Sequence, residues 1–385
     1  MATPGRRHGE DMVTAAHPLP RPAGRALAVR HLGPNWYASV MGTAVVASAG
    51  AALPVRLAGL RTACAAFWAL SLALLAALLV ARALHWTHHR DQARAHLLDP
   101  ATAPFYGCLA MALSAAGTAT ITVGRDWIGT GAAVALGAVL FTAGTVLGLA
   151  AAVTVPYLMA VHHRPDPRQA TPVWLLPLVA PMVSAAAGPL LVPYLPPGQA
   201  REALLLACVA LFGLSLLATL LTLPVIFARL LTAGPLPLAL TPTLFLVLGP
   251  LGQSTTAVGN IADAAPYGDS VLVVLYGVPV MGFALLWAVL ATALVVRARR
   301  LGMGFAMTWW AFTFPVGTCV TGAEALGRHT GLTAFDWLAT GLYGVLVAAW
   351  AVVAVGTARG LLIGRLLAGL RPAPVAPRPV TARTT

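Results

Sequence analysis

The chain has 385 residues, of which 59% are hydrophobic and only 9% charged. A soluble globular domain carries roughly a quarter charged residues, so this chain cannot clothe itself in a solvated surface, and lipid must be the solvent for much of it. Its formal net charge of +13 comes from 24 basic residues, all arginine; they sit between apolar segments, so they read as determinants of membrane topology rather than as a nucleic-acid surface.

Residues 1–31 are basic and proline-rich, with Arg6, Arg7, Arg21, Arg25 and Arg30, and read as a disordered cytoplasmic arm. Ten apolar segments follow, near 35–54, 62–83, 104–123, 130–153, 172–193, 203–228, 242–262, 270–295, 304–325 and 336–358. Each is close to the roughly 20 residues needed to cross a bilayer. None alternates with period two, and a span in lipid must satisfy its own backbone, so these runs are expected to be helices. Together they make a transport domain over 32–360. Residues 361–385 turn to proline and arginine and read as a cytoplasmic tail, largely disordered. Ala47-Ser48-Ala49 imitates a signal-peptidase site, but its segment joins the repeat described next and is retained as a span. Cys64, Cys108, Cys208 and Cys319 lie singly inside apolar segments and read as small core residues rather than a disulfide or zinc framework.

Assigned to alternating sides, 19 arginines fall on the side of both termini and 5 on the other: Arg56, Arg61, Arg125, Arg201 and Arg328. Positive residues collect inside, so both termini are expected in the cytoplasm of a bacterial cell, with the spans in its inner membrane. Pro34, Pro104, Pro172 and Pro242 open odd-numbered spans at spacings of 70, 68 and 70 residues. Proline suits the first turn of a helix, and the period points to a helical hairpin used five times. Odd spans also carry interior breakers: Pro177, Pro181, Gly188 and Pro189 in the fifth, Gly249 and Pro250 in the seventh, Pro315 and Gly317 in the ninth. Backbone groups freed by such breaks need protein or water beside them. The expectation is an all-α integral membrane fold: ten transmembrane helices as five hairpins around a central pore, odd-numbered helices inside.

Gly33-Pro34-Asn35-Trp36-Tyr37-Ala38-Ser39-Val40-Met41-Gly42-Thr43 resembles the opening motif of the tellurite-resistance/dicarboxylate transporter family. Asp99-Pro100 with Pro104-Phe105-Tyr106, Thr171-Pro172-Val173-Trp174-Leu175-Leu176-Pro177, Pro242-Thr243-Leu244-Phe245 with Leu248-Gly249-Pro250, and Trp309-Trp310-Ala311-Phe312-Thr313-Phe314-Pro315 resemble the family's later odd spans, in order. The family includes malate and tellurite-resistance permeases, sulfite efflux pumps and plant slow anion channels. The resemblance implies a homotrimer whose protomers each hold a pore, with a phenylalanine of the ninth span, here Phe314, as its gate. The long regulatory termini of the plant channels have no counterpart here.

The expected pore lining is Gly42, Thr43, Ser114, Thr118, Pro181, Ser184, Gly188, Pro250, Thr313, Pro315 and Thr318. This set is free of mid-membrane charge, with Glu324 near the outer end of the ninth span. Hydroxyls and broken-helix backbone replace part of an anion's hydration without holding it as a fixed arginine would. The expected partners are a small anion and the lipid bilayer, with no nucleic acid, cofactor, metal or catalytic residue. A proton-coupled dicarboxylate transporter is the alternative within transport; coupling usually shows as a buried carboxylate or histidine relay. The alternative of another class is a membrane metalloenzyme built on His85, His88 and His89 with His162 and His163 in the next loop, though no third histidine box is present. A phosphate-binding loop needs a lysine, and the chain has none.

Overall fold

Each long apolar run folds as a helix. The structure, a computed structural model, describes residues 32–55, 57–266, 268–364 and 366. The expected arm 1–31, the tail beyond 366 and Arg56 lie outside the described residues. Among the described residues there is no strand. The main helices are α1 (Tyr37–Ala52), α2 (Leu60–His88), α3 (Gly107–Ala119), α4 (Thr130–Leu158), α5 (Leu175–Ala187), α6 (Gln199–Ala233), α7 (Leu248–Ala264), α8 (Ser270–Arg300), α9 (Phe314–Thr330) and α10 (Thr333–Leu362). Seven helices among the described residues are long and apolar enough to cross a membrane by themselves.

Odd and even helices differ in how they are covered. In the most apolar stretches of α3 and α5 with their flanking turns, 83% and 89% of residues are buried, against 17–28% in the five even helices. The exposed faces of the even helices are leucine and valine, such as Leu221, Leu275 and Val289, as lipid contact requires. Each odd helix packs on the even helix that follows it. The odd helices also touch one another in a cycle: α1 on α3, α3 on α5, α5 on α7, α7 on α9, and α9 back on α1. Small residues permit this. A Cβ added to Gly252 of α7 would lie 2.5 Å from the backbone of Thr318 and Cys319 in α9, and one added to Gly107 would lie 2.5 Å from the carbonyl oxygen of Leu176. Only glycine allows helices to approach so closely.

Several boundaries differ from expectation, each for a local reason. Every odd helix is introduced by a 3₁₀ turn: Pro34–Trp36, Ala103–Tyr106, Pro172–Trp174, Leu238–Val247 and Met307–Phe312. The α-helical part of the seventh and ninth spans therefore starts late. Pro250 and Pro315, expected as interior breaks, stand in the first turns of α7 and α9, where a missing N–H costs nothing. Pro181 does lie inside α5, and Gly188 opens the 3₁₀ stretch Gly188–Tyr194 that extends it. The even helices outrun their apolar cores; α6 has 35 residues, about 50 Å at 1.5 Å per residue, so its ends reach beyond a hydrocarbon layer of about 30 Å. α4 continues through Pro156 rather than ending before it; neighbouring membrane helices re-satisfy the backbone such a proline frees.

Candidate functional site

Inside the cycle of odd helices lie three cavities, and all three take their linings from those helices and their flanking turns. The largest, about 380 Å³, lies toward the carboxy-terminal ends of the five helices. Two small ones, about 30 and 20 Å³, lie toward their amino-terminal ends, each with room for about one or two waters. Phe314 borders all three. The residue is 5% exposed, at the start of α9 where the chain leaves the Met307–Phe312 turn.

The lining follows one helical stripe per element. In α1 it runs Met41, Val45, Ser48, Ala52; in α3 and the wider turn after it, Cys108, Met111, Ala115, Thr118, Thr122; in α5 and its extension, Leu176, Val179, Val183, Ala186, Leu190. In α7 and its lead-in it runs Leu246, Gly249, Gln253, Thr256, Asn260, Asp263, and in α9 Phe314, Thr321, Glu324, Arg328. Steps of three and four, or of seven, keep a single face of each helix toward the cavities. Around Phe314 the stripes are apolar, with Met41, Met111, Leu176, Val179 and Leu246 closing against the ring. Toward the carboxy-terminal ends they become polar.

The expected lining residues divide. Thr118 and Phe314 border the large cavity, and Pro315 borders the small ones. The other hydroxyls are turned into helix contacts. Thr43 donates to the Ser39 carbonyl at 2.7 Å and accepts from the Trp350 indole of α10 at 3.0 Å. Ser114 and Ser184 face each other between α3 and α5, their oxygens 3.4 Å apart. Thr313 donates to the Trp310 carbonyl and Thr318 to the Pro315 carbonyl, each at 2.7 Å. A hydroxyl in an apolar interior is satisfied by the helix carbonyl one turn back, which is why these face protein. Gly42 abuts Trp310 and Thr313, and Gly188 abuts Cys208 and Phe141. Pro181 and Pro250 are buried and border none of the three cavities.

The cavity also carries charge that the expected lining did not include. Arg328 bonds the Asp263 carboxylate at 3.0 Å and pairs with Glu324 one turn back on its own helix. Thr256 and Thr321 share a 2.7 Å hydroxyl contact across α7 and α9. A fourth cavity, of about 400 Å³, shares Ser48, Ala52, Thr122, Leu190, Asn260 and Asp263 with the large one and widens it to Arg61 and Arg125. The signal for this lining was the spacing Gln253, Thr256, Asn260, Asp263, a polar stripe at helical period in an otherwise apolar span.

His85 and His89 are neighbours, their tilted rings 6.3 Å apart between centroids. His85 is buried and stacks on His96 with ring centroids 5.4 Å apart, while His162 and His163 close the turn after α4. Among the described residues no group of three or more His, Cys, Asp or Glu side chains is placed to hold a metal ion.

Buried helices surrounding a polar cavity, wrapped by helices with apolar outer faces, define a multi-pass membrane protein of the transporter and channel class. The chain belongs to the SLAC1 voltage-dependent anion channel family, whose pattern matches residues 31–358. It is 26% identical over 343 residues to an uncharacterized transporter of Methanocaldococcus jannaschii, covering 89% of this chain and 96% of that one. It is 27% identical over 350 residues to sulfite efflux pumps of Arthroderma otae and Trichophyton rubrum, covering 85% of this chain and 90% of each pump. The family is one of anion transport, and the resemblance read from the odd-span motifs agrees with it.

Proposed function

We propose that this protein passes a small anion across a bacterial cytoplasmic membrane, along a path inside each protomer that Phe314 closes. The observation that carries this reading is the set of five stripes, one from each odd helix, facing the same three cavities while the even helices contribute to none of them. In this reading all ten helices span the membrane as five hairpins, the odd ones completed by their 3₁₀ turns, and three protomers assemble side by side. Both termini lie in the cytoplasm, so the polar cavity opens outward and the small apolar ones lie on the inner side. The odd helices then begin together at the cytoplasmic mouth, and their amino-terminal ends, each worth roughly half a positive charge, gather anions there.

Selectivity in this reading rests on hydroxyls, amides and one compensated arginine, a lining that replaces hydration without trapping the ion. A small oxyanion fits the apolar constriction better than an extended dicarboxylate, and sulfite is the first to test because it is the cargo named for two relatives. Anion-replacement efflux from proteoliposomes tests this. Sulfite and other small anions are expected to leave faster from protein-containing vesicles than from empty ones, with malate slower. Equal rates with and without protein would remove the proposal.

The charged cavity favours one second reading, proton-coupled transport, since Glu324 and Asp263 border the path. The channel reading stands ahead of it because both carboxylates are held in ion pairs with Arg328 rather than free to shuttle a proton. Efflux that persists when the proton gradient is collapsed supports a channel; efflux that stops, and becomes gradient-independent in Glu324→Gln, supports coupling.

A further inference from the structure

We infer that a crevice around Arg82 binds the phosphate headgroup of an anionic membrane lipid. Arg82 lies in α2, one of the lipid-facing even helices, yet is only 7% exposed. Its guanidinium donates to the Leu32 carbonyl at 2.8 Å and to the Tyr106 hydroxyl at 3.3 Å, and it lies 5.7 Å from the centre of the Tyr106 ring. These acceptors are neutral. Among the described residues no carboxylate pairs with it, although a buried cation is costly unless an anion compensates it. A guanidinium has five N–H donors in a planar fork suited to phosphate, and two such bonds leave donors to spare.

The surroundings supply the rest of a lipid site. Arg82 borders a cavity of about 230 Å³ with Tyr37, Tyr106, Trp86, Leu79 and Leu109. Leu79 and Trp86 are 39% and 38% exposed, so the crevice opens on the outer, lipid-facing side of α2 and away from the cavities around Phe314. Its place near a helix end suits a headgroup: Arg82 stands six residues before the end of α2 at His88, about 9 Å along the axis. Tyrosine and tryptophan mark that same level in membrane proteins. The short helix Arg90–Leu98 follows at once, and the Tyr106 hydroxyl donates to its Ala93 carbonyl at 3.3 Å. That helix carries exposed Arg90 and Arg94, with Asp91 between them. A phosphate would take the free guanidinium donors while acyl chains lie along Leu79 and Leu109. Free inorganic phosphate would meet the same donors but leave the apolar walls uncovered.

Native mass spectrometry of the full chain in detergent tests this with three probes: phosphatidylglycerol, a diacylglycerol with the same chains, and inorganic phosphate. The wild type is expected to retain phosphatidylglycerol, to release the diacylglycerol, and to keep its lipid when phosphate is added. Arg82→Gln is expected to weaken retention about tenfold, the scale of one lost charge-assisted bond, with Arg82→Lys restoring part of it. Because Arg82 also holds Leu32 and Tyr106, Ala83→Trp serves as a second variant; it fills the crevice and leaves those bonds intact. Equal lipid retention in wild type, Arg82→Gln and Ala83→Trp would overturn the inference. So would displacement of the lipid by phosphate alone, or a change of oligomeric state in Ala83→Trp without loss of lipid, which would assign the crevice to a second copy of the chain.

Discussion

At the scale of single residues, Phe314 separates a cavity of about 380 Å³ from spaces of about 20–30 Å³. An aromatic ring in a ring of methionine, leucine and valine side chains excludes water, and a dry constriction closes a pore to ions. Phe314→Ala is therefore expected to raise anion flux. A barrier lowered by about 1.4 kcal/mol gives about a tenfold gain, readable as efflux from proteoliposomes; unchanged flux in a stably folded variant would count against a gate here. Arg328 makes a different prediction. Its pairs with Asp263 and Glu324 are partly exposed, so they add little to stability, but they offset part of the charge of two carboxylates beside the proposed path. Arg328→Gln should leave folding intact and slow anion flux severalfold. The deficit should shrink at high salt, where a Debye length of about 3 Å at 1 M screens the uncovered charge.

At the scale of elements, the ring of odd helices depends on close backbone approach. Gly252→Ala places a methyl 2.5 Å from α9 backbone, and the overpacking should cost about 1–3 kcal/mol, seen as a lower melting temperature in detergent. Gly249→Ala, whose added carbon meets nothing within 4 Å, is the matched control and should leave the melt unchanged. The division into odd and even helices was readable in the sequence because prolines open four of the five odd spans. Which face of an odd helix meets the cavity was not. These helices are buried all round, so hydrophobic periodicity carries no contrast. Ser114 and Thr118 are one turn apart, yet Thr118 borders the cavity while Ser114 meets Ser184 of α5. Pro315 looked like a mid-helix break because the 3₁₀ turn before it reads, in sequence, as more helix. The stripe Gln253, Thr256, Asn260, Asp263 was visible as a pattern, but only packing tells whether such a stripe meets water or a neighbour.

At the scale of the whole molecule, the amino-terminal ends of the odd helices face the cytoplasm in the proposed orientation. All four native cysteines are buried, so a membrane-impermeant thiol reagent should report only introduced ones. Added outside intact cells, it should label Trp127→Cys, at a site 60% exposed beyond α3, and spare Arg300→Cys at the end of α8; the opposite pattern would invert the topology. The central proposal is that the cycle of odd helices encloses an anion path with Phe314 as its barrier. The sharpest measurement is the reversal potential of Phe314→Ala in a planar bilayer under a chloride gradient. The account predicts a current that reverses near the chloride equilibrium potential; reversal near the cation potential, or no current above that of the bare bilayer, would contradict it.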